Sequence, residues 1–385
     1  VKLNSMGKSV GTGAGTILSV AAVAALTLTA CGSDNNAGTS SSAGSSGASG
    51  TSSASADCGG KNSVTAEGST AQQNAVAVFN QVWGQKCPGK NLSYNPTGSG
   101  AGREQFIAKQ VDFAGSDSAL KDDQIKAAAD RCGGNPAWHI PLVFGPIAMA
   151  YNIEGVDGLV LNGDVLAKIF QGQITKWNDP AIAGLNQGKT LPDTAITPIF
   201  RSDSSGTTDN FQKYLKAAAP QSWTKETGSE FQGGAGEGAQ KSAGVVQAVQ
   251  ATPGSIGYVE KGFAEQAGVP FAQIDSGAGA VELNDESAGK AIDAAKFAAD
   301  GNDLVLDLNS IYGTKEAGAY PLMLATYEIV CSKGYDADTA AAVKSFLTVA
   351  ANDGQGGLSA AGYVPLPDQF KERLVTSIDA IGSTA

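Results

Sequence analysis

Strand-like and helix-like segments alternate along this chain, and three of the junctions between them carry the same kind of small-residue cluster. Gly68-Ser69-Thr70 separates a strand-like 63–67 from a helix-like Ala71–Val82. Gly98-Ser99-Gly100-Ala101-Gly102-Arg103 separates Asn91–Asn95 from a helix-like Glu104–Lys109. Arg201-Ser202-Asp203-Ser204-Ser205-Gly206-Thr207-Thr208 follows a strand-like 196–200 and leads into a helix-like 209–219. This alternation predicts an α/β fold with a largely parallel sheet, in which ligands sit beyond the carboxyl ends of strands. Each cluster suits a small anion there. Glycine lets the main chain approach closely, unpaired N–H groups open the following helix, and hydroxyls add neutral donors. Three such clusters, one led by an arginine, point to a desolvated oxyanion site assembled from several loops and held between two lobes.

The remaining elements fit the same frame. Val111–Ala114 reads as a strand before a helix at 121–131. The apolar runs 140–144 and 147–151 read as two further strands, with Pro141 and Pro146 at their margins. Helices are expected at 164–170, 241–250, 288–299, 337–349 and 367–380, and a strand at 255–260.

The first 57 residues are read as targeting and tether. Lys2 and Lys8 precede an apolar run, Ile17–Leu28, that ends in Leu28-Thr29-Ala30-Cys31. This pattern predicts a lipoprotein signal over 1–30 with Cys31 lipidated after cleavage; an ordinary secretory signal is the alternative. Residues 31–57 are almost all Ser, Gly, Ala, Thr and Asn, a composition that cannot bury apolar surface and serves as a flexible tether. About 325 residues follow, enough for two cores.

Composition excludes several classes of function. The formal charge is −11, and −13 without Lys2 and Lys8, with no Lys/Arg block, so nucleic acid is not an expected partner. His139 is the only histidine and no cysteine spacing suits zinc, so neither a metal nor a cofactor is expected. Beyond Cys31, the even set Cys58, Cys87, Cys132 and Cys331 suggests two disulfides. Three pairings are possible; we favour Cys58–Cys87, which closes the first βα unit, with Cys132–Cys331. The one G-x-S-x-G match, Gly7–Gly11, lies in the signal, and Gly188-Lys189-Thr190 lacks the upstream glycine of a P-loop, so an enzyme is not expected.

Two groups carry the chemistry of the proposed site. Arg201 supplies a forked guanidinium, Asp203 two residues later can hold it, and Ser205, Gly206 and Thr207 offer donors at a helix start. Asp117, in Phe113-Ala114-Gly115-Ser116-Asp117, has two readings. It can be a cap or turn residue, or an acceptor for the proton that phosphate still carries near neutral pH and sulfate does not.

These segments, in this order, resemble the ligand segments of the PstS family, the substrate-binding proteins of phosphate-specific ABC transporters. Lys168–Asp179 and Pro253–Glu260 fit the same family, and the resemblance spans about residues 60–385. It implies a two-lobed periplasmic-binding fold of type II with two crossovers, near Leu142 and Tyr320, and the ligand in the interlobe cleft. The lobes would then be 58–142 with 320–385, and 143–319. It also implies a phosphate-binding set: Ser69, Thr70, Ala71, Ser99, Asp117, Arg201, Asp203, Ser205, Gly206 and Thr207. Thr70 and Ser99 would donate hydroxyls, and Asp117 would accept the phosphate proton. Ala71 stands where many members have an aromatic residue, and Ser204 where glycine is frequent. The implied function is that of a monomeric, non-enzymatic phosphate receptor. It would be lipid-anchored on the outer face of the bacterial cell membrane and serve a permease and its ATPase. A receptor for sulfate or molybdate, and a surface phosphatase, are the alternatives.

Overall fold

A computed structural model of the chain describes residues 57–382; the expected signal, Cys31 and the tether up to residue 56 lie outside the described residues. The strands are β1 (Ser63–Gly68), β2 (Asn91–Pro96), β3 (Phe113–Ser116), β4 (Ala137–Tyr151), β5 (Val160–Asn162), β6 (Thr197–Arg201) and β7 (Glu237–Ala239). They continue with β8 (Ser255–Glu260), β9 (Gln273–Asp275), β10 (Ala280–Val281), β11 (Lys296–Phe297), β12 (Leu306–Asp307) and β13 (Met323–Cys331). Eight of them form one sheet in the order β2–β1–β3–β13–β4–β8–β6–β7.

The outer parts of this sheet are parallel, as the βα alternation predicts: β1 with β2 and β3, and β6 with β7 and β8. Its centre is not. β13 is antiparallel to both β3 and β4, and β4 is antiparallel to β8, so the sheet is mixed rather than largely parallel. The expected strands 140–144 and 147–151 are one continuous strand, β4. It pairs with β13 as far as Pro146 and with β8 from Ile147 onward. Both prolines sit where the missing N–H costs least. Pro141 adjoins a register shift opposite Thr326 and Tyr327, and Pro146 stands at the change of partner.

The helices pack on this sheet through apolar faces, with Trp83, Trp177 and Trp223 essentially fully buried. Trp177 joins two segments singled out in the sequence, since its indole N–H donates to the Gly254 carbonyl at 2.9 Å. The helix expected at 288–299 instead runs Asp285–Asp293. Asn284 caps it, accepting from the Ser287 N–H at 2.9 Å, so the helix starts one turn earlier than the apolar residues suggest. The helix expected at 104–109 runs Ser99–Ile107 and takes in the glycine cluster. A Cβ on Gly102 would lie 2.5 Å from the Gly68 Cα, so glycine there sets how closely this helix lies on β1. His139 is a packed residue, as its position before an apolar run suggests: Nε2 accepts from the Leu120 N–H at 2.9 Å, and Nδ1 lies 2.7 Å from Asp303. Among the described residues no helix is long and apolar enough to cross a membrane.

The four cysteines form the favoured pairs, Cys58–Cys87 and Cys132–Cys331, separated by 29 and 199 residues. Replacing either pair by alanine is expected to cost about 3–5 kcal/mol in the chain-entropy account, with the longer loop at the upper end. Denaturant unfolding of the two double variants checks both the magnitude and the order.

Candidate functional site

The three clusters are strand-to-helix junctions, and contacts between them bring them together. Gly68 ends β1, Gly98 follows β2, and Arg201 ends β6. Asp117 follows β3 at once, and its carboxylate is the centre of the arrangement. Oδ1 accepts from the Ser69 hydroxyl at 2.6 Å and from the Thr326 hydroxyl at 2.6 Å, while Oδ2 accepts from Ser99 at 3.0 Å. Asp117 is 3% exposed. Burial pushes its carboxyl up to about 6, although the bonds from Ser69, Thr326 and Ser99 pull the other way. Asp117 is therefore not merely a cap for the helix Asp122–Arg131, whose N-cap is Lys121.

Arg201 is equally buried, and its guanidinium is fixed. Nε donates to Asp203 Oδ1 at 2.7 Å, Nη2 donates to Oδ2 of the same carboxylate, and Nη1 reaches the Ser242 hydroxyl at 3.4 Å. Asp203 also accepts from the Lys241 N–H at 2.9 Å. Burial works against the Asp203 charge, but the Arg201 fork outweighs it and holds the carboxyl below its ordinary value. Ser205 caps the helix Gly206–Ala218 by accepting from the Thr208 N–H at 3.2 Å. The N–H groups of Gly206 and Thr207 lie in its first turn, where no intrahelical carbonyl can serve them. Glycine is required at 206: a Cβ would lie 2.5 Å from both the Asp117 Cβ and the Ser99 Oγ.

Residues around β1–β3 are bonded directly to residues around β6–β8. Thr70 and Ser242 hydroxyls are 2.8 Å apart, the Gly100 N–H donates to the Ser204 carbonyl at 3.0 Å, and Asn210 donates to the Asp117 carbonyl at 2.7 Å. Arg103 belongs to this layer. Its guanidinium donates to Ser116 at 2.8 Å, Ser229 at 3.1 Å and Gln124 at 3.0 Å. A cavity of about 410 Å³, lined by Ser118, Asn210, Lys213, Tyr312 and Tyr327 among others, meets the cluster at Asp117.

Every residue of the predicted set is thus in or beside one buried cluster. Ser69 and Thr70 contribute hydroxyls, and the Ala71 N–H donates to the Ser69 Oγ at 3.0 Å. An aromatic side chain does stand beside Ala71, because the Tyr363 hydroxyl donates to its carbonyl at 2.6 Å. Two residues in the cluster carry no sequence signal: Thr326 lies within an apolar strand and Ser242 near a helix start. A third, Glu260, ends the stretch Pro253–Glu260 that fits the family, but nothing in the sequence singles it out for the site. Glu260 accepts from the Thr207 hydroxyl at 2.5 Å. Behind them, the Tyr94 hydroxyl donates to the Ser69 carbonyl at 2.7 Å, and Gln72 bridges Tyr94 and Glu328 at 3.2 and 3.3 Å. Among the described residues no group of three or more His, Cys, Asp or Glu could hold a metal ion.

A mixed α/β fold of the two-lobed periplasmic-binding kind, with a buried polar cluster where residues around β1–β3 meet residues around β6–β8, is the class that this geometry defines. Comparison with known proteins agrees. The model of the PBP superfamily domain matches residues 41–353. Phosphate-binding protein PstS 3 of Mycobacterium tuberculosis is 49% identical over 383 residues, covering 99% of this chain and all of that protein. Phosphate-binding protein PstS of Pasteurella multocida is 33% identical over 321 residues, 81% of this chain and 88% of that one. A high-affinity periplasmic phosphate-binding protein, PfluDING, solved with bound phosphate, shares the fold with a TM-score of 0.66 at 23% identity, over 83% of this chain and 99% of that one. The chain belongs to the PBP superfamily and, within it, to the PstS family of phosphate-binding proteins.

The buried carboxyls give a testable pH dependence. Asp117 moves from its ordinary 3.8 to about 6 on folding, so between those values the folded protein holds the proton more tightly than the unfolded chain. The unliganded protein should lose stability as pH rises through that window. Glu328, raised by burial from 4.5 to about 8, extends the loss upward. Asp117→Asn should flatten the lower part of the profile and Glu328→Gln the upper part, as measured by denaturant unfolding in phosphate-free buffers.

Proposed function

We propose that this chain captures inorganic phosphate outside the cytoplasmic membrane and delivers it to an ABC permease and its ATPase, without performing chemistry. The observation that carries this reading is Asp117. It is a buried carboxylate whose contacts from Ser69, Ser99 and Thr326 are all donors, set in the same cluster as a guanidinium locked by Asp203. When ionised it can only accept, so it favours an anion that still carries a proton and penalises sulfate, which does not. Phosphate meets that condition at neutral pH. In this reading Thr70, Ser99, Ser205 and Thr207, with the N–H groups of Gly206 and Thr207, supply its remaining contacts, while the Ala71 N–H is taken by the Ser69 Oγ. Relatives named for phosphate binding support the assignment.

In this reading one lobe comprises 58–142 with 320–385 and the other 143–319. The chain crosses between them near Leu142 and Tyr320, and both disulfides lie in the first. Lobe closure brings Thr70 to Ser242 and Gly100 to Ser204. Cys31 carries the lipid that holds this monomeric receptor on the outer face of the membrane, and residues 32–57 give it reach. Cys31→Ser should abolish incorporation of a palmitate analogue in metabolic labelling; label persisting in that variant would sink the anchor.

Titration calorimetry of the signal-less protein with phosphate, sulfate and arsenate tests the ligand. Phosphate should bind more than about 10³-fold tighter than sulfate, a gap above roughly 4 kcal/mol. Arg201→Met should cost at least about 3 kcal/mol of phosphate binding, with Lys rescuing only in part because it lacks the fork. Asp117→Asn should weaken phosphate, strengthen sulfate and narrow the gap. Release of product from a phosphomonoester would instead make the chain an enzyme.

A further inference from the structure

The proton accounting at the site does not stop at Asp117. Glu260 ends β8, is 1% exposed, and receives the Thr207 hydroxyl proton at 2.5 Å. Its other oxygen, Oε2, is buried and has no hydrogen-bond partner among the described residues. No ion pair within that set neutralises it, since the neighbouring Lys261 is turned to Glu265 at 3.0 Å and Asp285 at 3.2 Å. Its charge is felt by both Asp117 and Arg201, which places it electrostatically within the same cluster.

A threonine hydroxyl has one proton and two lone pairs, and a free one rotates to suit its partner. Thr207 is not free, because its only proton is committed to Glu260. What Thr207 Oγ1 can show to a ligand is therefore a lone pair. Resting on the phosphate reading above, we propose that Glu260 is a specificity-determining positioning residue that converts Thr207 into a second hydrogen-bond acceptor of the site. The site then has two fixed acceptors, Asp117 and Thr207, on separate elements. An anion with two protons satisfies both, one with a single proton satisfies one, and a fully deprotonated tetrahedral anion satisfies neither. The ligand that fits best is the dihydrogen form of phosphate, and rejection of sulfate is shared between two residues instead of resting on Asp117 alone.

The readout is the ratio of phosphate to sulfate affinity, which a loss of stability lowers for both ligands alike and so leaves in place. Glu260→Met removes the oxygen that accepts the Thr207 proton, frees that proton toward the anion and should narrow that ratio by about tenfold or more, with sulfate affinity rising. Thr207→Val should narrow it as well, Thr207→Ser should preserve it, and Glu260→Met should add nothing in the Thr207→Val background. An unchanged ratio in Glu260→Met would overturn the role of Glu260. If that variant does not fold, equal ratios in Thr207→Val and Thr207→Ser would overturn it independently. Arg201→Met separates the two levels. Loss of phosphate binding in Arg201→Met with an unchanged Glu260→Met ratio removes only this inference, whereas near-native binding in Arg201→Met would overturn both it and the site.

Discussion

The antiparallel pair β4–β13 is the constraint on which the rest of the molecule depends. β13 pairs with β3 on one side and β4 on the other, and β4 changes partner from β13 to β8 at Pro146 and Ile147. The functional cluster lies around that change. Thr326 is on β13, Asp117 follows β3, which pairs with it, and Glu260 sits opposite Ile147 in the register of β4 with β8. Groups separated by more than 200 residues, such as Asp117 and Thr326, therefore meet at 2.6 Å because two strands fix both halves of the sheet. The loops deliver N–H groups to the cluster, but the strands set where the loops can be.

Electrostatics then decides what this geometry can hold. Arg201 is fully balanced by Asp203, and Asp117 and Glu260 add two further buried carboxylates nearby. A chain of formal charge −11 thus carries an acidic environment into an anion site. Such a site does not attract anions through net charge. In the proposed reading it works through fixed dipoles, one forked guanidinium and protons supplied by the ligand, in a buried volume where unpaired groups are costly. Selectivity then follows from the same surroundings: an acceptor that faces an anion bringing no proton repels it instead of bonding to it.

Much of this was legible in the sequence, and the reasons are local. Arg201–Thr208 announces a helix start, with Ser205 as its cap, and the βα period fixes the strand before it; Gly68-Ser69-Thr70 marks the end of its strand, while the helix expected from Ala71 begins at Gln73. Asp203 was legible because it is two residues from the arginine it holds. The central antiparallel strands were not: a buried strand of fifteen residues reads as two short apolar runs once it contains prolines, and only its neighbours show that it is continuous. Thr326 and Ser242 were invisible for another reason, and Glu260, although it ends a stretch that fits the family, was not tied to the site for the same reason. A lone hydroxyl or carboxylate in an apolar or alanine-rich stretch has no spacing to betray it, and its partner lies far along the chain.

The acceptors differ in how they are paid for. Asp117 is stabilised by three hydroxyls arriving from β1, the loop after β2, and β13, so its charge is tied to the relative placement of those three elements. Glu260 has one such bond, from Thr207 at the start of the helix Gly206–Ala218, and that helix is placed by β6. A movement of the β6–β8 half relative to β1–β3 would part Gly206 from Asp117 and Ser99 while leaving Thr207 with Glu260. Asp117 and the Thr207–Glu260 pair are thus carried on different parts of the sheet, and in the proposed reading Asp117 and Thr207 face one ligand only when those parts are together. Selection by proton count is then a property of the closed arrangement, not of either half alone.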